Sequence, residues 1–220
     1  MPFRPPLSAV LAVAALAACA PGADDYEDPF TATGEVIALS GGEAMARGAC
    51  ITCHGVNGEG DGADTPRLAG LDPGYIQKQL EDYAADLRPD PVMSPIARRL
   101  SHADRARVAA YYGAMPPALA DPLGADPALI AEGRTLYHQG LPGHRACAAC
   151  HGTDGRGLGA GYPPVAGQTA AYTAHQLRQW KTAQRRNDPR DVMGAVSRPL
   201  SERQIDAVSA YAASLPHRSE

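Results

Sequence analysis

Cys50-Ile51-Thr52-Cys53-His54-Gly55 recurs 97 residues later as Cys147-Ala148-Ala149-Cys150-His151-Gly152. The repetition spreads outward from this hexapeptide. The same offset carries Pro66 onto Pro163, Ala69-Gly70 onto Ala166-Gly167, Tyr75 onto Tyr172 and Gln79-Leu80 onto Gln176-Leu177. The offset then becomes 100 and carries Val92-Met93 onto Val192-Met193, Leu100-Ser101 onto Leu200-Ser201 and Val108 onto Val208. Three residues are therefore inserted in the second copy between Leu177 and Met193. Internal repetition on this scale means two copies of one domain. The expected domains are residues 34–115 and 128–217. Between them, residues 116–127 hold Pro116, Pro117, Pro122, Gly124 and Pro127, a semi-rigid linker composition.

Each copy reads as helical, and no run alternates as a strand should. One helix is expected ahead of each cysteine motif, over residues 42–49 and 126–139, the second opened by an Asp126-Pro127 cap. A further helix begins at Asp72-Pro73 in the first copy and near Thr169 in the second. The last begins at Ser101 and at Ser201, where Ser201 and Gln204 match a capping box. Ile205, Val208, Ala212 and Leu215 then make one apolar stripe, as do Val108, Tyr112 and Met115. The fold class is all-α, two tandem helical domains.

Cys-x-x-Cys-His is the attachment signal for c-type haem. Thiols three positions apart each reach a vinyl group on one porphyrin edge. The adjacent histidine, His54 or His151, is then held over the iron as proximal ligand. The competing readings of such cysteines are weaker. A thioredoxin-like redox pair belongs in a βαβ pattern, which is missing. A four-cysteine zinc site would need both pairs together, and 97 residues separate them. Aromatic content is only 5%, and two small lobes with so few aromatics gain from a large apolar cofactor in each core. Two covalently bound haem c groups are expected, at Cys50 and Cys53 and at Cys147 and Cys150.

The sixth ligand is sought among the methionines, since Met/His ligation raises a haem's potential. Of five, Met1 lies at the N-terminus, while Met45 and Met115 align with Leu136 and Leu215 and read as core. Met93 and Met193 align with each other, in segments expected to be loops, and only they serve both copies. His102, His138, His144, His175 and His217 have no counterparts in the other copy, although His144 is close to Cys147. Arg98 and Arg198 follow the methionines by five residues and are candidates for haem propionates on charge complementarity. Tyr75 and Tyr172 are expected to line the haem pockets or to pack in the cores.

Arg4, an apolar run at residues 7–18 and then Cys19 read as a secretory signal over residues 1–18. Leu16-Ala17-Ala18-Cys19 looks like a lipoprotein processing site, which would leave Cys19 lipidated and residues 19–33 as a tether. The chain is then expected on the periplasmic side of a bacterial membrane. A formal net charge of −4 argues against a nucleic-acid partner.

The order of haem motif, Pro-x-x-Ala-Gly, Tyr-x-x-x-Gln-Leu helix, Val-Met segment and Leu-Ser helix, present twice, resembles the dihaem cytochrome c4 family. The resemblance runs from about Gly41 to Leu215. It implies two class I cytochrome c lobes about a pseudo-twofold axis, with haems facing each other across the interface. It also implies that the carbonyls of Pro66 and Pro163 accept hydrogen bonds from the proximal histidines. The implied function is single-electron transfer, not catalysis, between redox proteins such as a quinol-oxidising complex and a terminal oxidase. A lipidated Cys19 favours an alternative reading, a cytochrome subunit of a dehydrogenase or oxidase complex. A dihaem peroxidase or thiosulfate-oxidising enzyme would need an open or unusual ligand at one haem, against the symmetry of Met93 and Met193.

Overall fold

The structure, a computed structural model, describes residues 1, 32–44, 48–117 and 126–216. The expected signal beyond Met1, Cys19, nearly all of the tether, Met45, most of the linker and His217 lie outside the described residues.

The first copy contains α1 (Gly34–Ser40), α2 (Ile51–His54), α3 (Pro73–Ala84), α4 (Met93–Arg99) and α5 (His102–Ala114). The second contains α6 (Pro127–Gln139), α7 (Ala148–His151), α8 (Ala170–Lys181), α9 (Val192–Ser197) and α10 (Glu202–Ser214). No strand occurs among the described residues.

Helix starts follow the chemistry of their caps. The Asp72 side chain accepts from the Tyr75 N–H at 3.0 Å, Thr169 from Tyr172, Asp126 from Ala128 and Ser101 from Asp104. Ser201 and Gln204 form the reciprocal capping box. The first helix departs from expectation, running over Gly34–Ser40 rather than residues 42–49. Thr33 caps it by accepting from the Val36 N–H, and Gly41 and Gly42, at φ 84° and 53°, end it in the left-handed region. A 3₁₀ turn, Gly42–Ala44, follows, and residues 45–47 of the expected helix lie outside the described residues.

Each lobe has its own core. Ile37, Leu71, Ile76, Leu80, Leu100, Val108 and Tyr112 build the first, and Leu136, Tyr137, Leu177, Leu200, Ile205, Val208 and Tyr211 the second. The same helix crossing closes each one. A Cβ on Gly34 of α1 would lie 2.2 Å from the Arg107 carbonyl oxygen of α5, and one on Gly133 of α6 would lie 1.9 Å from that of Ala207 in α10. Both contacts are inside van der Waals distance, so the crossing exists because these positions have no side chain.

Candidate haem sites

α2 and α7 are single turns, which put the two thiols of each motif on one side and the histidine at the end. Cys50 packs against the first core and Cys147 against the second, and no motif cysteine is in a disulfide. Burial pushes the Cys50 and Cys147 thiols up to about 11. Buried thiols of this kind are poor nucleophiles, unlike the partly exposed thiols of redox-active pairs.

The histidine rings are oriented by carbonyls. His54 Nδ1 lies 3.0 Å from the Pro66 oxygen, and His151 Nδ1 lies 2.9 Å from that of Pro163. A carbonyl only accepts, so Nδ1 carries the proton and the Nε2 lone pair is left for a metal. Burial holds both histidines below the ordinary imidazole pKa, which keeps the rings neutral.

Met93 and Met193 are not in loops, as the sequence suggested; Met93 opens the short helix α4 and Met193 is the second residue of α9. An aspartate ahead of each helix supplies the reason. Asp90 Oδ1 accepts from the N–H groups of Val92 at 2.8 Å and Met93 at 2.7 Å, and Asp188 Oδ2 accepts from the Met193 N–H at 2.6 Å. Both methionines are half-buried against the core that also receives the first cysteine of their lobe. In the second copy the inserted stretch passes through Arg190 and Asp191, whose φ values of 61° and 55° turn the backbone so that Met193 still meets its core. A pocket is lined by Cys147 together with Leu136, Leu141, His144, Val196, Leu200 and Val208. Met115 packs on the first core.

Tyr75 and Tyr172 have a role that the sequence reading missed: their hydroxyls lie at the interface between lobes. Arg88 donates to Tyr172 Oη at 3.0 Å and Gln176 Oε1 at 2.7 Å in the other lobe, and to Gln79 Oε1 at 2.9 Å in its own. Arg185 donates to Tyr75 Oη at 3.4 Å and Gln79 Oε1 at 2.9 Å in the other lobe, and to Gln176 Oε1 at 2.6 Å in its own. Each guanidinium also lies over an aromatic ring, Arg88 at 4.6 Å from the Tyr83 centroid and Arg185 at 3.9 Å from that of Trp180. All these pairs obey the 97-residue offset, so the repeat carried the signal. Asn187, in the inserted stretch, adds an unpaired bridge: it donates to Asp82 at 2.6 Å and its carbonyl accepts from Lys78 at 2.9 Å.

These residues fit haem. Each lobe offers two unpaired thiols, an imidazole with a free Nε2 and a thioether, all on an apolar core. The interface adds three buried cations, Arg67, Arg88 and Arg185, whose side-chain hydrogen bonds go to neutral groups, and buried donors with no partner, Trp180 Nε1 and Arg67 Nε. That combination suits the carboxylates at the polar edge of a porphyrin. Arg98 and Arg198 are elsewhere, in exposed ion pairs with Asp86 and Asp191. His102 pairs with Glu81, His138 meets the Tyr211 hydroxyl and His175 meets Gln179.

The cytochrome c family profile matches residues 39–114 and 130–216. The chain is 41% identical over 190 residues to the thiosulfate dehydrogenase electron acceptor of Stutzerimonas stutzeri, covering 84% of this chain and 87% of that protein. The structure of cytochrome c4 from Pseudomonas stutzeri superposes with a TM-score of 0.71 at 35% identity, over 81% of this chain and 97% of the other. The thiosulfate dehydrogenase TsdBA of Marichromatium purpuratum superposes with a TM-score of 0.74 at 43% identity, over 83% of this chain, which spans only 40% of that one.

Proposed function

Because the chain belongs to the cytochrome c family, in its dihaem c4 branch, we propose that it holds two matched His/Met centres, His54 with Met93 and His151 with Met193. It is an electron-transfer protein with two covalently bound haem c groups, one in each lobe. Haem c, when bound, supplies an iron that holds or gives up one electron. The chain's own residues do the rest. Cys50, Cys53, Cys147 and Cys150 tether the porphyrins, and the Pro66 and Pro163 carbonyls orient the proximal rings and raise their basicity. Met93 and Met193 would each give the iron a thioether ligand, which would raise its potential and disfavour binding of a substrate there. We assign the propionates to Arg88, Arg185 and Trp180, because Arg98 and Arg198 already hold carboxylates at the surface.

The observation that carries this reading is the matched pair of histidine–proline hydrogen bonds, each in a lobe whose core also receives the aligned methionine. The test is near-infrared spectroscopy of the oxidised holoprotein. Met93→Ala and Met193→Ala should each remove one of two methionine-to-iron charge-transfer bands. Two bands surviving in both variants would refute the ligand set.

As donor we propose a thiosulfate-oxidising dehydrogenase, supported by the relatives named for that enzyme, with a quinol-oxidising complex as the alternative. A terminal oxidase is the proposed acceptor. The proposed location is the periplasmic side of a bacterial membrane with a lipid on Cys19, supported by the N-terminal residue pattern. Among the described residues no helix is long and apolar enough to cross a membrane. Loss of labelled fatty acid in Cys19→Ala tests the anchor.

A further inference from the structure

The two sites match in their ligands but not in what lies behind them. The Pro66 carbonyl that accepts from His54 shares its peptide unit with the N–H of Arg67. That N–H donates to Gln168 Oε1, a side chain of the other lobe, at 3.0 Å. Gln168 Nε2 returns a hydrogen bond to the Arg67 carbonyl at 3.1 Å, so the amide is gripped at both ends. Next to it, Thr169 Oγ1 donates to the Ala63 carbonyl at 2.7 Å. Gln168 and Arg67 are 5% and 1% exposed, so water does not compete for these bonds.

The second copy cannot build this chain. Its accepting peptide joins Pro163 to Pro164, which has no N–H, and the counterpart of Gln168 at the 97-residue offset is Leu71. We infer that Gln168 is a positioning residue that tunes the first haem site alone, through a hydrogen-bond chain crossing the lobe interface to His54. An amide that donates at nitrogen is polarised and accepts more strongly at oxygen. The Pro66 carbonyl therefore draws harder on the Nδ1 proton of His54 than Pro163 does on that of His151. A ring with more imidazolate character is a stronger ligand for ferric iron. Contact between the lobes thus lowers the potential of the first site and leaves the second to its own lobe.

The inference rests on His54 being an iron ligand. That premise is checked first in the unmutated holoprotein, where ring protons of a ligating His54 show large paramagnetic shifts in the ferric state. Their absence would sink the ligand reading before any variant is made. Gln168→Met keeps the volume and removes the acceptor. In a stepwise spectroelectrochemical titration it should raise the ferrous-to-ferric ratio of one haem several-fold at fixed potential and leave the other unchanged. In the reduced protein, the Nδ1 proton of His54 should exchange faster while that of His151 keeps its rate. Gln168→Glu, titrated at a pH where the new carboxylate is ionised, retains an oxygen acceptor and should move the same haem in the opposite direction. Equal shifts of both haems, shifts of neither, or shifts of one sign in the two variants would overturn the proposal.

Discussion

Arg88 and Arg185 stand 97 residues apart in the chain, and each crosses to hydrogen-bond the tyrosine and glutamine of the other lobe. They are 6% and 5% exposed. Two buried cations that share Gln79 and Gln176 repel one another, and neutral partners offset that only in part. A pair of propionates would neutralise both and would explain why each copy retains its arginine.

Replacing Arg88 with Met should therefore have two effects. It removes hydrogen bonds from a charged donor, each of which contributes about 1.5–3 kcal/mol, so the midpoint of chemical unfolding should fall. It also removes positive charge from the ferrous-stabilising side of the balance, so at least one haem potential should fall. Denaturant titration and redox titration of the same holoprotein check these together. A lower midpoint with unchanged potentials would leave the arginine as interface glue and remove it from the propionates.

Arg198→Ala serves as the contrast. Its partner Asp191 is exposed like itself, and such pairs are screened by solvent. The Arg198 guanidinium holds the Asp191 carboxyl below its ordinary 3.8, so the pair's small contribution is present above that pH and fades as pH falls through the native value. At neutral pH the variant should keep wild-type potentials and lose no more than this small contribution from its unfolding midpoint. A shift in potential would return Arg198 to the haem.

Gly133→Val tests the helix crossing of the second lobe. A side chain there meets the Ala207 carbonyl, and α6 must lift from α10. Overpacking of this kind costs about 1–3 kcal/mol, and this contact with backbone should sit at the upper end. Gly34→Val should do the same at Arg107 in the first lobe. Thermal unfolding of the holoproteins reads both, and wild-type midpoints would mean that the crossings tolerate a side chain at these positions.

The elements whose ends are marked by local chemistry were legible in the sequence. Asp72, Ser101, Asp126, Thr169 and Ser201 all cap where they were expected to. The first helix was not, because its cap, Thr33, sits in a polar stretch read as tether, and the left-handed Gly41 and Gly42 end it before the residues where it was expected. Met93 and Met193 were matched by the repeat, but their helices were hidden because Asp90 and Asp188 lie in Asp-Pro pairs that read as turns. Gly34 and Gly133 carry no periodic signal, since a helix crossing depends on what lies opposite. Arg88, Arg185, Tyr83 and Trp180 did share the repeat offset, but an interface between lobes is a tertiary fact. Gln168 and Arg67 break the repeat, and comparing the copies finds only what they share.

Optical redox titration of the haem-loaded wild-type chain tests the central claim most directly. Two haems per chain should titrate as one-electron low-spin centres, both with methionine-to-iron charge-transfer bands when oxidised. A high-spin haem, or one without its methionine band, would contradict the matched His54/Met93 and His151/Met193 centres and reopen the case for a catalytic site.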